Sequence, residues 1–277
     1  MHDKNKTYAI CFDLDETLGS FGQLYKFWHL LQVYLKNMDL DEKYFFNILD
    51  LFPEFLRTNI FKILKTVKSK KCKKTCNFVM IYTNNNGPRF WANLIRSYFH
   101  YKLKFKLFDQ IIRAFKINGK RIEVCRTSSG KSYNDFISCT KLPPNTQLCF
   151  LDDQYHAKME HENVLYINLK PYNYNVKYSV LCERFYKKNQ GLFDSTDPAN
   201  STNPQNPQNL EHFIKFIRHH THYDKLPYLN KAPVEKNIDK LITENIIKEI
   251  NMFFKSPPKK STRKRRKREI KNKTQKY

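Results

Sequence analysis

Five short runs of apolar residues punctuate roughly the first 170 positions of the chain: Tyr8–Phe12, Phe78–Tyr82, Gln110–Arg113, Gln147–Leu151 and Val164–Asn168. The second, fourth and fifth are mostly apolar, which is the pattern of strands buried on both faces of a sheet. Between the runs, apolar positions recur with a helical period. The clearest case spans Arg89 to His100, where Trp91, Leu94, Ile95, Tyr98 and Phe99 sit at i, i+3, i+4, i+7 and i+8. They form one stripe, and a stripe of this kind is core rather than a cofactor box. Alternating strand and helix predicts an α/β fold with a Rossmann-like, doubly wound parallel sheet.

Some 65 residues separate the first two strands. Leu24–Leu35 and Tyr44–Lys68 are aromatic and helix-like, and Glu54–Lys68 is the expected crossover helix. The rest, about 19–51, reads as a helical insertion after the first strand, of a size to form a small cap. The pattern changes at Asn189–Asn209, which is rich in Asn, Pro, Ser, Thr and Gln and reads as a linker without fixed structure. Leu210–Tyr223 and Val234–Phe254 then read as helices, the second with a stripe of Val234, Ile238, Leu241, Ile242, Ile250 and Phe253. The expected organisation is a main domain over 1–188, a linker over 189–209, a helical extension over 210–254 and a disordered basic tail over 255–277.

Charge changes the picture. The 277 residues carry a formal net charge of +24. Such a chain favours polyanions: nucleic acid, acidic protein segments or phosphorylated protein. A Lys-rich proteome offers the alternative of simple solubility. The tail holds Arg263-Lys-Arg-Arg-Lys-Arg268 and reads as a nuclear signal, a nucleic-acid tether or a solubilising end. Seven cysteines at irregular spacing do not resemble a disulfide framework, so a reducing, intracellular compartment is expected, cytoplasmic or nuclear. Cys72 and Cys76 lack a second Cys/His pair at zinc-finger spacing, and His219, His220 and His222 fall in a polar helix; neither group reads as a metal site. No apolar run is long enough to span a bilayer, and none reads as a signal peptide.

The chemistry lies at Asp13-Leu-Asp-Glu-Thr17, directly after the first apolar run. Residues two apart on a strand point the same way, so a strand ending near Asp13 presents Asp13 and Asp15 side by side. Two carboxylates so close repel unless a cation lies between them or one keeps a proton. A metal-neutralised Asp can attack phosphorus, and a neighbour with a raised pKa can act as general acid and then base. Thr83 follows the second strand, in Thr83-Asn84-Asn85, where its hydroxyl and the next amides would emerge at the same edge. Lys131 opens a helix-like stretch after Thr127-Ser-Ser-Gly130, and Asp152-Asp153 follows the fourth strand. The second acidic pair offers the hard oxygen ligands that Mg²⁺ requires. Taken singly, each element has a plain structural explanation: a helix N-cap at Asp152-Asp153, a solvated lysine, a turn-capping threonine.

The order Asp-x-Asp-x-Thr, strand-Thr, Lys, strand-Asp-Asp, at successive spacings of 70, 48 and 21 residues, resembles the haloacid dehalogenase superfamily over about residues 7–170. That resemblance implies an Mg²⁺-dependent phosphomonoester hydrolase working through an aspartyl-phosphate. Asp13 would be the nucleophile and Asp15 the general acid/base, its backbone carbonyl also on the metal. Thr17 would orient the loop, Thr83 and Asn84 would bind the phosphoryl group, Lys131 would stabilise it, and Asp152 and Asp153 would complete the metal site. An acid at position 15 favours phosphatase over dehalogenase chemistry, because a leaving alkoxide needs a proton. Asp13-Leu-Asp-Glu-Thr-Leu18 looks most like the phosphatases of the RNA polymerase II C-terminal domain and their small relatives, which implies a phosphoserine or phosphothreonine protein as substrate. The chain departs from them in Gly19-Ser20-Phe21, in the long helical insertion and in Thr83-Asn84-Asn85. Two other classes stay open: a nucleic-acid 3′-phosphatase, which the charge suits, and a non-catalytic binding protein that kept the fold.

Overall fold

The computed structural model describes residues 6–194, 207–221 and 233–255. Its centre is a five-stranded parallel sheet built from β1 (Tyr8–Phe12), β2 (Phe78–Tyr82), β3 (Gln110–Ile112), β6 (Gln147–Asp152) and β7 (Val164–Asn168), in the order β3-β2-β1-β6-β7. The doubly wound α/β architecture expected from the apolar runs is therefore present. β1 pairs with β2 on one side and β6 on the other, and all five of its residues are buried. Its side chains divide by the strand period: Tyr8, Ile10 and Phe12 enter one core, Ala9 and Cys11 the other.

The larger core gathers α1 (Gly22–Tyr34), α2 (Glu42–Leu51), α3 (Ile60–Cys72), α4 (Arg89–Leu103) and α6 (Tyr178–Lys188) on one face of the sheet. On the other face lies α5 (Tyr133–Thr140). Between β3 and α5 a small hairpin pairs β4 (Lys116–Ile117) with β5 (Lys120–Arg121). Its strands are two residues long and carry no apolar run. The turn residues Asn118 and Gly119 both have positive φ, 49° and 77°, which suits an Asn-Gly hairpin turn.

Several segments sit differently from their sequence reading. The stretch 19–51 is not a separate cap. Leu24, Phe27, Trp28 and Leu31 of α1 and Phe45, Ile48 and Leu49 of α2 are buried in the main core. An aromatic ladder ties them to α4: Trp28 to Phe45 at 5.6 Å, then Phe45 to Trp91 at 5.1 Å between ring centroids. The crossover helix begins later than expected, at Ile60, after a single 3-10 turn at Pro53–Phe55. Residues 189–194, read as the start of the linker, and 207–209, read as its end, have regular or buried structure instead. Asn189 is buried, and the short helix α7 (Gly191–Asp194) seats Phe193 against Tyr186 and Phe213. The remainder, 195–206, lies outside the described residues.

The helical extension is likewise part of the core. α8 (Pro207–Thr221) packs on α1 and α6, while α9 (Pro233–Lys255) packs on α3 and β7. The buried face of α9 follows the apolar stripe read in the sequence at Ile242, Ile250 and Phe253 but departs from it in the amino-terminal half. Val234 and Leu241 are exposed, while Asp239, Thr243, Ile246, Ile250 and Phe253 are buried. Phe253 meets Tyr8 at the start of β1, so α9 ends beside the amino-terminal edge of the sheet. The basic tail and His222 lie outside the described residues.

One covalent link corrects the cysteine reading. Cys125 and Cys139 form a disulfide, whereas Cys11, Cys72, Cys76, Cys149 and Cys182 are free. A scan of spacing misses it because the two residues meet only through the loop that leads into α5. Closing a span of 14 residues is worth about 3 kcal/mol by chain entropy. Replacing Cys125 with Ser should therefore lower the urea midpoint, and reductant should lower the wild-type midpoint by a similar amount. Equal midpoints with and without reductant would show that the bond carries none of the stability.

Candidate active site

The sheet order puts the sequence motifs together. β1 ends at Phe12, and the Asp13 N–H continues its pairing by donating to the Leu151 carbonyl at 2.8 Å. Its neighbour β6 ends in Asp152, followed by Asp153. On the other side β2 ends in Tyr82, and the Thr83 N–H donates to the Ile112 carbonyl at 2.9 Å. Asp13, Thr83, Asp152 and Asp153 thus collect at the carboxyl edge of the central strands, where open α/β sheets hold their ligands.

Lys131 reaches this edge from the loop ahead of α5, one residue before the Ser132 cap rather than inside the helix. It is 2% exposed, which rules out the reading as a solvated surface lysine. Its Nζ donates to the Asp13 carboxylate and, at 2.6 Å, to Asp152 Oδ2. The two acids keep its pKa above the ordinary lysine value although burial opposes this. Burial pushes Asp13 up to about 7, against the pull of Lys131 and with a further push from Asp152. Asp152 moves the other way. Burial would raise it, but His156 Nε2 at 3.5 Å and the Lys131 ammonium hold it below the usual carboxylate range.

The loop is anchored by an arginine the motif search overlooked. Arg126 is fully buried and donates to the carbonyls of Arg113 at 2.7 Å and Ser129 at 2.9 Å. Its guanidinium lies 4.8 Å from the centre of the Tyr82 ring. These contacts fix the loop between two strand ends and so fix where Lys131 points.

Asp15 stands apart from Lys131. Its carboxylate accepts from Asn85 Nδ2 at 2.7 Å. Burial raises its pKa, and the Asn85 hydrogen bond opposes the rise. Asn85 is in turn oriented by Thr83, whose hydroxyl accepts the Asn85 N–H at 3.0 Å, and by the Gly87 N–H, which donates to Asn85 Oδ1 at 2.7 Å. Thr83 is thus partly the turn-capping residue its sequence context allowed. Asn84, expected at the phosphoryl group, is exposed, and Asn85 is the residue that meets an acid of the site. Thr17 hydrogen-bonds Asp153 twice, hydroxyl to Oδ1 and peptide N–H to hydroxyl, both at 3.1 Å. It orients that acid as well as its own loop.

Asp13, Asp152 and Asp153 are buried, and each offers an oxygen within 4.8 Å of the others. Lys131 is shared by Asp13 and Asp152, and Asp153 favours the charge of the Arg57 guanidinium. The carboxylates still outnumber the cations, so this group could hold a metal ion. Asp15 lies outside the group. Next to the site runs a groove of about 760 Å³, lined among others by Thr83, Asn85, Tyr25, Arg113, Ile117 and Lys120. No family model, curated protein or solved structure matches this chain.

The charge excess predicts measurable metal binding. Mn²⁺ titrated into the protein and followed by electron paramagnetic resonance should saturate one site. Asp153→Asn should weaken that site at least tenfold, as loss of a ligand or of its positioning does. Wild-type affinity in Asp153→Asn would exclude the carboxylate group as the site.

Proposed function

We propose that the protein is an Mg²⁺-dependent phosphomonoester hydrolase acting through an aspartyl-phosphate on Asp13. The observation that carries this reading is the buried Asp13 carboxylate held by Lys131 beside the Asp152–Asp153 pair, with a second, separately bonded acid at Asp15. The motif order that resembles the haloacid dehalogenase superfamily supports the same chemistry. Mg²⁺ fits the donor set, since all three side chains present hard oxygen atoms. Asp13, Asp152 and Asp153 would hold a bound Mg²⁺, which would supply charge neutralisation for the reaction.

In the proposed reaction an Asp13 oxygen forms a bond to phosphorus as the ester oxygen leaves. Lys131 stays charged throughout and offsets charge on the phosphoryl oxygens. Asp15 gives a proton to the leaving alkoxide and then takes one from the water that attacks phosphorus and breaks its bond to Asp13. The Asn85 hydrogen bond gives that carboxyl a partner of its own. Two acids facing different partners support a division of labour between them.

The resemblance of Asp13-Leu-Asp-Glu-Thr-Leu18 to the C-terminal-domain phosphatases makes a phosphoserine or phosphothreonine protein the first candidate substrate. A specific observation favours a second: Arg113 and Lys120 line the groove, and the chain carries a net charge of +24, which suits a 3′-phosphorylated nucleic acid. Turnover of a phosphoserine peptide against 3′-phosphorylated DNA separates the two. Absence of turnover on any aryl phosphate with Mg²⁺ leaves the non-catalytic reading.

Asp13→Asn should lower kcat by at least ~10³ with the fold intact, because the attacking oxygen anion is gone. Asp15→Asn should cost most on esters with poor leaving groups. Chelator should abolish turnover, Mg²⁺ should restore it, and Ca²⁺, with its larger and looser shell, should not. Near-normal turnover by Asp13→Asn would exclude the covalent route.

Residues 255–277 carry twelve Lys/Arg and one Glu. A chain ending at residue 254 should bind DNA more weakly and with a shallower salt slope than the full chain. Its turnover of a small aryl phosphate should be unchanged, since α9 ends beside the sheet edge opposite the site. Equal salt slopes for the two proteins would assign polyanion binding to charge elsewhere.

A further inference from the structure

The turn that carries Asp15 is held by a group far away in sequence. Glu16 has φ +53°, in the left-handed region that non-glycine residues seldom occupy. Its N–H donates to the Gly19 carbonyl at 2.8 Å, and its own carbonyl accepts the Tyr172 N–H at 2.8 Å. That carbonyl also accepts from Arg57. The Arg57 guanidinium spans the turn, with Nη2 to the Glu16 carbonyl at 2.5 Å and Nε to the Thr17 carbonyl at 2.6 Å. A further bond, Nη2 to the Lys170 carbonyl at 2.9 Å, ties the turn to the chain after β7.

Arg57 is 3% exposed and is itself fixed by its backbone. Residues 55–57 run against residues 18–20, with Ser20 N–H to the Phe55 carbonyl at 2.7 Å and Arg57 N–H to the Leu18 carbonyl at 3.1 Å. The approach is so close that a Cβ on Gly19 would lie 2.5 Å from the Phe55 carbonyl oxygen. Burial brings the guanidinium down to about 10, and the two carboxylates that most favour its charge are Asp239 and then Asp153.

Asp239 belongs to α9. It is one of the two polar residues on the amino-terminal half of that helix's buried face, and Thr243 is the other. Both engage Thr58, the neighbour of Arg57. The Thr243 hydroxyl donates to the Thr58 carbonyl at 2.7 Å, and the Thr58 hydroxyl approaches Asp239 Oδ2 at 3.5 Å. Apolar residues at these positions would bury as well, so core packing alone does not account for a carboxylate and a hydroxyl here. They face the segment that presents Arg57.

We propose that Arg57 is a positioning residue for the Asp15–Thr17 turn and that α9, through Asp239 and Thr243, holds Arg57 in place. The C-terminal helix then acts on the candidate active site although it contributes nothing to its lining. Through the Glu16 and Thr17 carbonyls, one planar fork sets the direction of Asp15 on one side and of the Thr17 hydroxyl, with Asp153, on the other. A lysine carries its donors on one nitrogen at the end of a flexible stem and lacks the fixed planar fork that meets both carbonyls at once. This proposal rests on the phosphomonoesterase reading.

The test uses the full chain and four variants: Arg57→Ala, Arg57→Lys, Asp239→Asn and Thr243→Val. Circular dichroism identifies those that fold. In Arg57→Ala, kcat on an aryl phosphate should fall about tenfold to a hundredfold with little change in KM, the loss expected when a supporting contact is removed from a positioned group. The loss should grow as the leaving group becomes poorer, because Asp15 is the displaced acid. Added guanidinium ion should restore part of it. Arg57→Lys should fall between Arg57→Ala and wild type. Asp239→Asn and Thr243→Val should change kcat in the same direction and less. Mn²⁺ affinity, read by electron paramagnetic resonance, should drop severalfold in Arg57→Ala and Arg57→Lys through Thr17 and Asp153. Wild-type kcat in a folded Arg57→Ala, or a loss that guanidinium does not relieve and that ignores the leaving group, would overturn the proposal. If Arg57→Ala does not fold, wild-type kcat and Mn²⁺ affinity in Arg57→Lys would do so. Unchanged kcat in both α9 variants would remove that helix from it. If the wild-type protein hydrolyses no phosphomonoester, the phosphatase reading fails by itself, and unchanged Mn²⁺ affinity in the folded Arg57 variants then overturns the positioning role as well.

Discussion

Lys131 stands between Asp13 and Asp152, and the carboxyl edge of the sheet is organised around that one ammonium. Three carboxylates crowd a site with little access to water, and each would resist ionisation alone. The lysine changes the balance for two of them. Removing one partner from such a buried pair leaves an uncompensated charge, which is costly by about 3–5 kcal/mol. Much of the surrounding architecture serves to bring Lys131 to this point. Arg126 pins its loop to the strand ends, Ser132 caps the helix that follows, and the Cys125–Cys139 disulfide closes the loop onto α5. A lysine on a free loop would be solvated and would leave Asp13 and Asp152 to repel.

The central position of β1 has a similar effect on the other side chains. Because β2 and β6 flank it in parallel, three strand ends converge within reach of Asp13. Each neighbour carries its own polar cluster: Thr83, Asn85 and Gly87 after β2, and Asp152 to His156 after β6. The two acids of the first motif are thereby given different surroundings. Asp13 looks toward Lys131 and the second acidic pair, Asp15 toward an amide. Two residues apart in sequence, they differ in partner.

The segments that looked accessory carry the larger core. α1 and α2 add aromatic rings that interlock with Trp91, and α8 and α9 cover what those helices leave open. The insertion and the extension are therefore one packing unit with the sheet. Its inner surface also meets the back of the Asp15–Thr17 turn, where residues 55–57 pair with residues 18–20. Support for the candidate site runs from the far helices through this strip of backbone.

The sequence by itself determined the sheet and the acids. Apolar runs located the five strands of the sheet to within a residue, since a strand buried on both faces has little freedom in composition. Asp13, Asp15, Lys131, Asp152 and Asp153 stood out by their order and by their places directly after apolar runs or at the start of a helix-like stretch. The order of the strands, and so the meeting of residues 13, 83, 131 and 152, was decided by tertiary structure. The same holds for Asn85 in preference to Asn84, whose identical side chains differ only in where the turn aims them. Arg57 and Arg126 act on backbone carbonyls, and every residue has one, so the accepting positions carry no mark in the sequence. α9 shows the reverse error. Of the stripe read from hydropathy, Ile250 and Phe253 are buried and Ile242 packs on the core, but Val234 and Leu241 are exposed while Asp239 and Thr243 are buried, where both face Thr58. Periodicity records which residues water would reject, and it is silent on polar groups whose partners appear only when the chain has folded.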